Sequence, residues 1–154
     1  MDAIALLEDD HGRIKKRLNE LDKTTEGDER RREELFATIK GELVVHEIIE
    51  EEIFYPALKE HPKARDLVLE GYEEHHVVDT IMGELEGMDV TDEMWTAKAT
   101  VMKENLEHHI DEEEKELFVK ARQVFDENEL DELGQRMTER KKSAQKELNI
   151  PAGT

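Results

Sequence analysis

The chain has 154 residues, of which 36% are hydrophobic and 41% are charged, and its formal net charge of −19 argues against nucleic acid and anionic membrane surfaces as partners. Because it has no cysteine, disulfides, thiolate metal sites, iron–sulfur clusters and thiol catalysis are excluded. No stretch has the roughly 20 apolar residues of a membrane span, and the N-terminus does not resemble a signal peptide, so we expect a cytoplasmic protein.

The apolar residues recur at helical spacing, which predicts a helical domain with a heavily charged outer surface. The first predicted helix spans 3–22, and His11 lies within its inward stripe. Thr24, Thr25 and Gly27 predict the turn that follows. The stripe consists of Ile4, Leu7, His11, Ile14, Leu18 and Leu21.

A second helix is predicted from about 28 to about 60. Its central motif, residues 45–56, reads Val-His-Glu-Ile-Ile-Glu-Glu-Glu-Ile-Phe-Tyr-Pro and places His46 and Glu50 four residues apart, on one helical face. Pro56 is expected to kink the helix or to begin a looser last turn, and the His61-Pro62 pair marks its end. The inward positions are Leu35, Ile39, Leu43, His46, Ile49 or Glu50, Ile53 and Ala57.

A third helix is predicted over about 63–87, with His75 in its inward stripe. The fourth, over about 92–125, follows an N-cap at Thr91 or Asp92 and repeats the motif of the second helix. A shift of 63 residues places His46 on His109, Glu50 on Glu113, Glu51 on Glu114 and Tyr55 on Phe118.

A fifth, shorter helix is predicted over about 127–146. Leu130, Leu133 and Met137 lie on one side of it and basic residues on the other, and we expect it to lie across the bundle. The tail comprises residues 147–154, of which 149–154 should be mobile.

The spacing of the histidines predicts how the helices pack. His11 and His46 are 35 residues apart, and His75 and His109 are 34 apart, so each pair belongs to a helical hairpin with its histidines at similar heights. Two such hairpins form an all-α, up-down-up-down four-helix bundle over about 1–125, with one histidine from each helix at its centre. We expect residues 1–154 to form a single domain.

Four histidines in matching register favour a metal site over hydrogen-bonded core residues. Glu50 and Glu113 also point inward, where an unpaired carboxylate is costly, and no Lys or Arg on the inward stripes of the second to fourth helices lies near them. Imidazole and carboxylate without sulfur favour iron, with manganese or zinc as alternatives. The candidate ligands are His11, His46, Glu50, His75, His109 and Glu113.

The remaining polar and aromatic residues of these motifs are interpreted as playing other roles. Glu47, Glu51, Glu52, Asp111, Glu112 and Glu114 are assigned mostly to solvated helix faces. His61 is assigned to an exposed helix end, and His76 and His108 to positions off the inward stripe. Tyr55, Tyr72, Trp95 and Phe118 are assigned to core packing.

The series His11, His46-x-x-x-Glu50, His75 and His109-x-x-x-Glu113 resembles the hemerythrin-like (HHE cation-binding) family over about 1–125. That family includes standard examples of the up-down four-helix bundle. The resemblance implies a non-haem di-iron centre in which both carboxylates span two iron ions, with a bridging oxo, hydroxo or water ligand. Positions left open on the irons would take oxygen, peroxide or nitric oxide.

Two positions differ from the pattern of the oxygen-carrying hemerythrins. Those proteins have a second histidine four residues after the one in the third helix, where this chain has Asp79. Their last carboxylate follows its histidine by five residues, whereas Glu113 follows His109 by four and Glu114 by five. We therefore expect a more symmetric centre, with nearly equivalent irons and with Asp79 and Glu114 as further candidate ligands.

Two functions fit these patterns. One is a protein that binds oxygen or a related small ligand at two irons and could decompose peroxide. The other is a metal- or oxygen-responsive sensor or iron-handling module, in which the fifth helix transmits metal occupancy to a protein partner. Catalytic turnover would favour the first, and a metal-dependent change in oligomerisation or partner binding the second. The sequence leaves the oligomeric state open.

Overall fold

The computed structural model of the protein describes residues 1–152, which are helical with short connections and contain no strand. The helices are α1 (Ala3–Asp22), α2 (Glu29–Ile49), α3 (Tyr55–Lys59), α4 (Pro62–Glu86), α5 (Glu93–Glu112), α6 (Phe118–Val124) and α7 (Glu127–Glu147). Two π-helical segments, π1 (Glu50–Phe54) and π2 (Glu113–Leu117), join α2 to α3 and α5 to α6. The molecule is an all-α, up-down-up-down four-helix bundle with an additional C-terminal helix.

Local sequence signals explain where the helices begin. The Asp2 side chain accepts a hydrogen bond from the Ala5 amide at 2.7 Å, which caps α1. Asp92, rather than Thr91, caps α5 by accepting from the Met94 amide. Asp126 and Glu129 form a reciprocal capping box at the start of α7. No helix within residues 1–152 combines the length and the apolar character that crossing a membrane requires.

The apolar core has two parts, one on each side of the histidine level. On α1, Leu7 belongs to one part and Ile14 to the other, and His11 lies between them. Trp95 is buried in the second part, as predicted. His61, which was expected to be exposed, is instead half-buried, with its ring centroid 5.2 Å from that of Phe125.

The two π segments change the register of the helices that contain them. Each begins at a predicted metal ligand, and an extra residue in the turn rotates everything that follows by about 100°. Consequently Leu58 is fully buried, whereas Ala57, the predicted inward residue, is only partly buried. Pro56 lies just after π1 and has no amide to donate to the Glu51 carbonyl. The Tyr72 hydroxyl donates to that carbonyl instead, at 3.4 Å.

The prediction that the C-terminal helix lies across the bundle is wrong, although its predicted bounds agree with α7. With 21 residues, α7 is slightly longer than α1, which has 20. It runs alongside α1, because Gly134 lies against the backbone of residues 1–3 and Lys141 contacts Asp10, seven residues further along each helix. Its predicted apolar side is buried in this contact.

Part of the predicted mobile tail lies against α2. The Ile150 side chain sits at the Gly41 backbone, and the Ile150 amide donates to the Gln145 carbonyl at 2.7 Å. The last two residues of that tail, 153 and 154, lie outside the described residues.

Candidate metal centre

The six predicted ligands meet in one buried layer between the two parts of the core. All are at most 5% exposed. Their nitrogen and oxygen atoms form two groups, each within 4.8 Å, that share Glu50. One group contains His11, His46, Glu50 and Glu113, and the other contains Glu50, His75 and His109.

Glu50 spans the two hairpins. Its Oε1 lies 3.2 Å from Nε2 of His46 and 3.1 Å from Nε2 of His75. These distances suit ion pairs, but the atoms are not aligned for hydrogen bonds, so neither oxygen of this 0% exposed side chain has a hydrogen-bond partner among residues 1–152. An ionised carboxylate in such a place requires a cation. Its surroundings therefore fit a bound metal.

Glu113 spans the hairpins in the same way. Its Oε1 lies 3.0 Å from Nε2 of His11, and its Oε2 lies 3.4 Å from Nε2 of His109. Burial alone would raise the pKa of Glu113, but the nearby imidazoles outweigh burial and hold this pKa well below its usual value. Glu113 is therefore an anion that is ready to accept a cation.

Every histidine of the layer is held from behind by a second carboxylate. The Nδ1 distances are 2.8 Å from His11 to Glu114, 2.9 Å from His46 to Asp10, 2.7 Å from His75 to Glu51 and 2.7 Å from His109 to Glu74. A proton on Nδ1, donated to such a carboxylate, leaves the Nε2 lone pair facing the centre, which is the tautomer that metal-bound histidines usually have.

These outer carboxylates are what the sequence interpretation missed. Glu51 and Glu114 were assigned to solvated faces, but they are half-buried and hold His75 and His11. The sequence pattern assigns no role to Asp10 or Glu74. A signal was present, because an acid precedes the histidine in both Asp10-His11 and Glu74-His75.

Asp79 does not join either group of candidate ligands. It is exposed and lies beside Glu47, in a surface cleft between α2 and α4. Glu114 contacts the outer nitrogen of His11 rather than the centre. Glu47 was expected on the solvated surface and is in fact buried. His76 and His108 are exposed, in agreement with the prediction.

A cavity of about 10 Å³ adjoins the layer, enough for one water-sized molecule. The four histidines of the layer line one part of it. The rest of its wall is formed by the two acids Glu47 and Glu74 and by five apolar residues, Ile14, Leu43, Val78, Leu106 and Ile110. A ligand that reached this space would be small.

Comparison with known proteins agrees with this geometry. The profile of the hemerythrin HHE cation binding domain matches residues 2–121. The chain belongs to this family. A solved structure, that of a hemerythrin HHE cation binding domain-containing protein from Mycobacterium kansasii, is 27% identical in sequence, with a TM-score of 0.84 over 96% of this chain and 89% of that one. No curated protein sequence matches the chain.

The hemerythrin-like domain has an internal twofold pattern that extends to the aromatic residues. The Tyr55 ring lies 5.4 Å from that of His75, and the Phe118 ring 5.6 Å from that of His11. Only Tyr55 has a hydroxyl, and it donates to Glu113 Oε2 at 2.5 Å. Tyr55 thus packs in the core, as predicted, and also contacts the candidate centre.

Gly71 on α4 makes room for this tyrosine. A Cβ at Gly71 would lie 2.8 Å from the Tyr55 hydroxyl oxygen, whereas a Cβ at Gly83 on the same helix meets nothing within 4 Å. We expect Gly71→Ala to destabilise the protein by about 1–3 kcal/mol, because the buried ring cannot move aside. Gly83→Ala, the matched control, should stabilise it by about 0.5–1 kcal/mol. Chemical denaturation measures both, and equal effects would contradict the role of Gly71.

The charges outside the ligand layer break the twofold pattern. Asp10, which holds His46, also accepts from Lys141 at 2.6 Å and from Arg13 at 2.5 Å. Glu74, which holds His109, pairs with no Lys or Arg of the described chain and lies beside Glu112. The two candidate metal positions therefore have similar candidate ligands, as expected, but differ in the charges that surround them.

Proposed function

We propose that this hemerythrin-like domain holds two iron ions and uses them to bind oxygen or a related small ligand, such as peroxide or nitric oxide. The observation that carries this proposal is the state of Glu50. It is fully buried, lies between imidazoles of both hairpins and has no hydrogen bond to either oxygen. A pair of cations would neutralise both this carboxylate and Glu113.

The donor set supports iron in particular. Four imidazole nitrogens and two carboxylates, without sulfur, suit iron, manganese or zinc, and iron adds redox chemistry with small oxygen-derived ligands. Each carboxylate reaches one histidine of each hairpin, so two cations could share both carboxylates. His11 and His46 would serve one position, and His75 and His109 the other.

The surrounding residues explain why the ligand is small. When bound, the iron pair supplies electrons and open coordination positions. The outer carboxylates hold the imidazoles in place, so that their Nε2 atoms face the centre. The small volume of the adjoining cavity admits only a molecule of about the size of water. The Tyr55 hydroxyl donates a hydrogen bond to Glu113 and so fixes the orientation of that carboxylate.

Metal analysis and spectroscopy test this proposal directly. After reconstitution with iron and removal of the excess, the folded protein should contain two irons per chain. Mixing the anaerobically reduced protein with oxygenated buffer, and separately with peroxide or nitric oxide, should change its ultraviolet–visible spectrum. A folded protein that retains one iron or fewer would overturn the dinuclear centre. Two irons without a spectral response to any of these ligands would overturn the ligand-binding function.

A second candidate function, a metal-responsive sensor, is favoured by one contact. Lys141 of α7 donates to Asp10, and Asp10 holds the outer nitrogen of His46. A cation on the inner nitrogen of His46 would fix this chain of contacts and so would change how firmly α7 is attached. The C-terminal helix could then report metal occupancy to a partner.

Lys141→Gln is expected to uncouple α7 from metal binding. In the unmodified protein, iron should slow hydrogen exchange in α7, because the ordered Asp10 anchors Lys141. In the variant, iron should bind with little effect on α7. Lys142→Gln is the matched control, since Lys142 is the exposed neighbour with the same charge. The sensor function loses its support if iron protects α7 equally in both variants.

A further inference from the structure

The cleft between α2 and α4 is lined by acidic residues that the inner centre does not use. We infer that Glu47, Glu51 and Asp79 form an outer site for a hard divalent cation, such as Fe²⁺ or Mn²⁺. All three line the cleft, and ligand atoms of Glu47, Glu51 and His75 lie within 4.8 Å of one another. Carboxylate oxygens are the donors that such cations prefer.

The strongest evidence is the environment of Glu47. This side chain lines the cleft, is only 8% exposed, and has no ion pair with any Lys, Arg or His among residues 1–152. Its close polar neighbour is Asp79, another carboxylate. Two carboxylates in contact repel each other unless a proton or a cation lies between them.

No basic side chain of the cleft is free to supply the missing positive charge. Lys40, the basic residue that lines it, lies 2.7 Å from Glu86. The nearby Glu52 is paired with Arg140 of α7. Glu47 and Asp79 are therefore left without a basic partner within the described chain, whereas Glu51 is paired with His75.

The fold itself does not require this acidic cluster. In the other half of the internal repeat, Glu47 corresponds to Ile110, 63 residues later, and Asp79 corresponds to Lys15, 64 residues earlier. Ile110 is buried, so an apolar residue satisfies the equivalent position. The acids at 47 and 79 are thus specific to one side of the bundle, which a structural role common to both halves does not explain.

The outer site adjoins the inner centre, because Glu51 follows Glu50 in the sequence and contacts His75. Glu51 holds the outer nitrogen of His75 through Oε2 at 2.7 Å, which leaves its other oxygen for a cation in the cleft. A cation bound in the cleft would have exchanged part of its hydration shell for carboxylate oxygens. It would also lie next to His75, a candidate ligand of the inner centre. The role we assign to the site, loading cations into that centre, rests on the proposed function, whereas cation binding in the cleft does not.

Manganese titration tests the outer site. The protein is first loaded with two irons, freed of excess metal and then titrated with Mn²⁺, with free Mn²⁺ followed by electron paramagnetic resonance. We expect one additional Mn²⁺ per chain. Asp79→Asn and Glu47→Gln should each weaken its binding by about tenfold or more. Asp66→Asn, which removes the same charge from an exposed position of α4, should leave it unchanged.

The outcomes separate this site from the inner one. Equal weakening of Mn²⁺ binding in Asp79→Asn and Asp66→Asn would show only general attraction by the acidic surface. If Mn²⁺ binding did not saturate, a shared proton between Glu47 and Asp79 would explain their contact instead. Either result overturns the proposal. The titration is repeated on Glu50→Gln, in which the outer site should persist. Failure of the inner centre would instead appear as fewer than two irons in the unmodified protein. The loading role further predicts several-fold slower iron uptake by Asp79→Asn.

Discussion

Glu50→Gln is expected to abolish assembly of the dinuclear centre and with it most of the metal-dependent stability. Glu50 is the one residue shared by both groups of candidate ligands, and the amide keeps its shape but cannot neutralise two cations. Metal bound at 1,000 times its dissociation constant stabilises a protein by about 4 kcal/mol. For a chain of this size that corresponds to a change of about 10 °C in Tm.

The metal-free proteins should differ much less in Tm. Without a metal ion, the Glu50 carboxylate is buried without a hydrogen bond and has only the imidazoles of His46 and His75 close to it. Chelation should therefore lower the Tm of the unmodified protein towards that of the variant. Glu33→Gln, at an exposed position of α2, is the control and should behave as the unmodified protein. A Tm that does not respond to chelator would remove Glu50 from the set of ligands.

The metal-free protein is expected to lose stability as the pH rises from about 7 to about 10. Burial would lower the pKa of His75, but the nearby carboxylates of Glu50 and Glu51 outweigh burial and raise this pKa from 6.5 to about 10. The stabilisation that protonated His75 contributes is therefore complete below pH 6.5, the pKa of this group in the unfolded chain. It is lost as the pH approaches about 10, the pKa in the folded protein. The loss should be on the order of 3 kcal/mol.

The metal-loaded protein should lack this loss. A cation requires neutral imidazoles, so metal binding releases protons and becomes stronger as the pH rises. Thermal unfolding of the chelated and the loaded protein at several pH values compares the two slopes. His108→Gln serves as a control, because His108 is exposed and outside the layer. Parallel slopes in the chelated and loaded protein would show that the buried imidazoles do not exchange protons for metal.

The regular spacing along each helix was sufficient to predict the bundle and its central layer. An amphipathic helix places every third or fourth residue on one face, which depends only on local geometry. The inward positions of His11, His46, His75 and His109 followed from it. The repeat of His46 and Glu50 at His109 and Glu113 then predicted the two spanning carboxylates.

Residues at the edge of that face could not be assigned in this way. Glu51 and Glu47 are close in sequence and chemistry and line the same cleft, yet only Glu51 holds His75, whereas Glu47 is buried beside Asp79. Which neighbour a half-buried carboxylate meets depends on the angle and register of the adjacent helix. Those are properties of packing that a single helix does not encode.

The sequence by itself determined the helices, the hairpin pairing and the six residues of the buried layer, because these follow from periodicity along one chain segment. Only the tertiary structure decided the rest. It placed α7 alongside α1, so that Lys141 reaches Asp10, and it showed the π turns that bury Leu58 instead of Ala57. Each of these depends on contacts between segments far apart in sequence, where packing and charge pairing outweigh the preferences of any one helix.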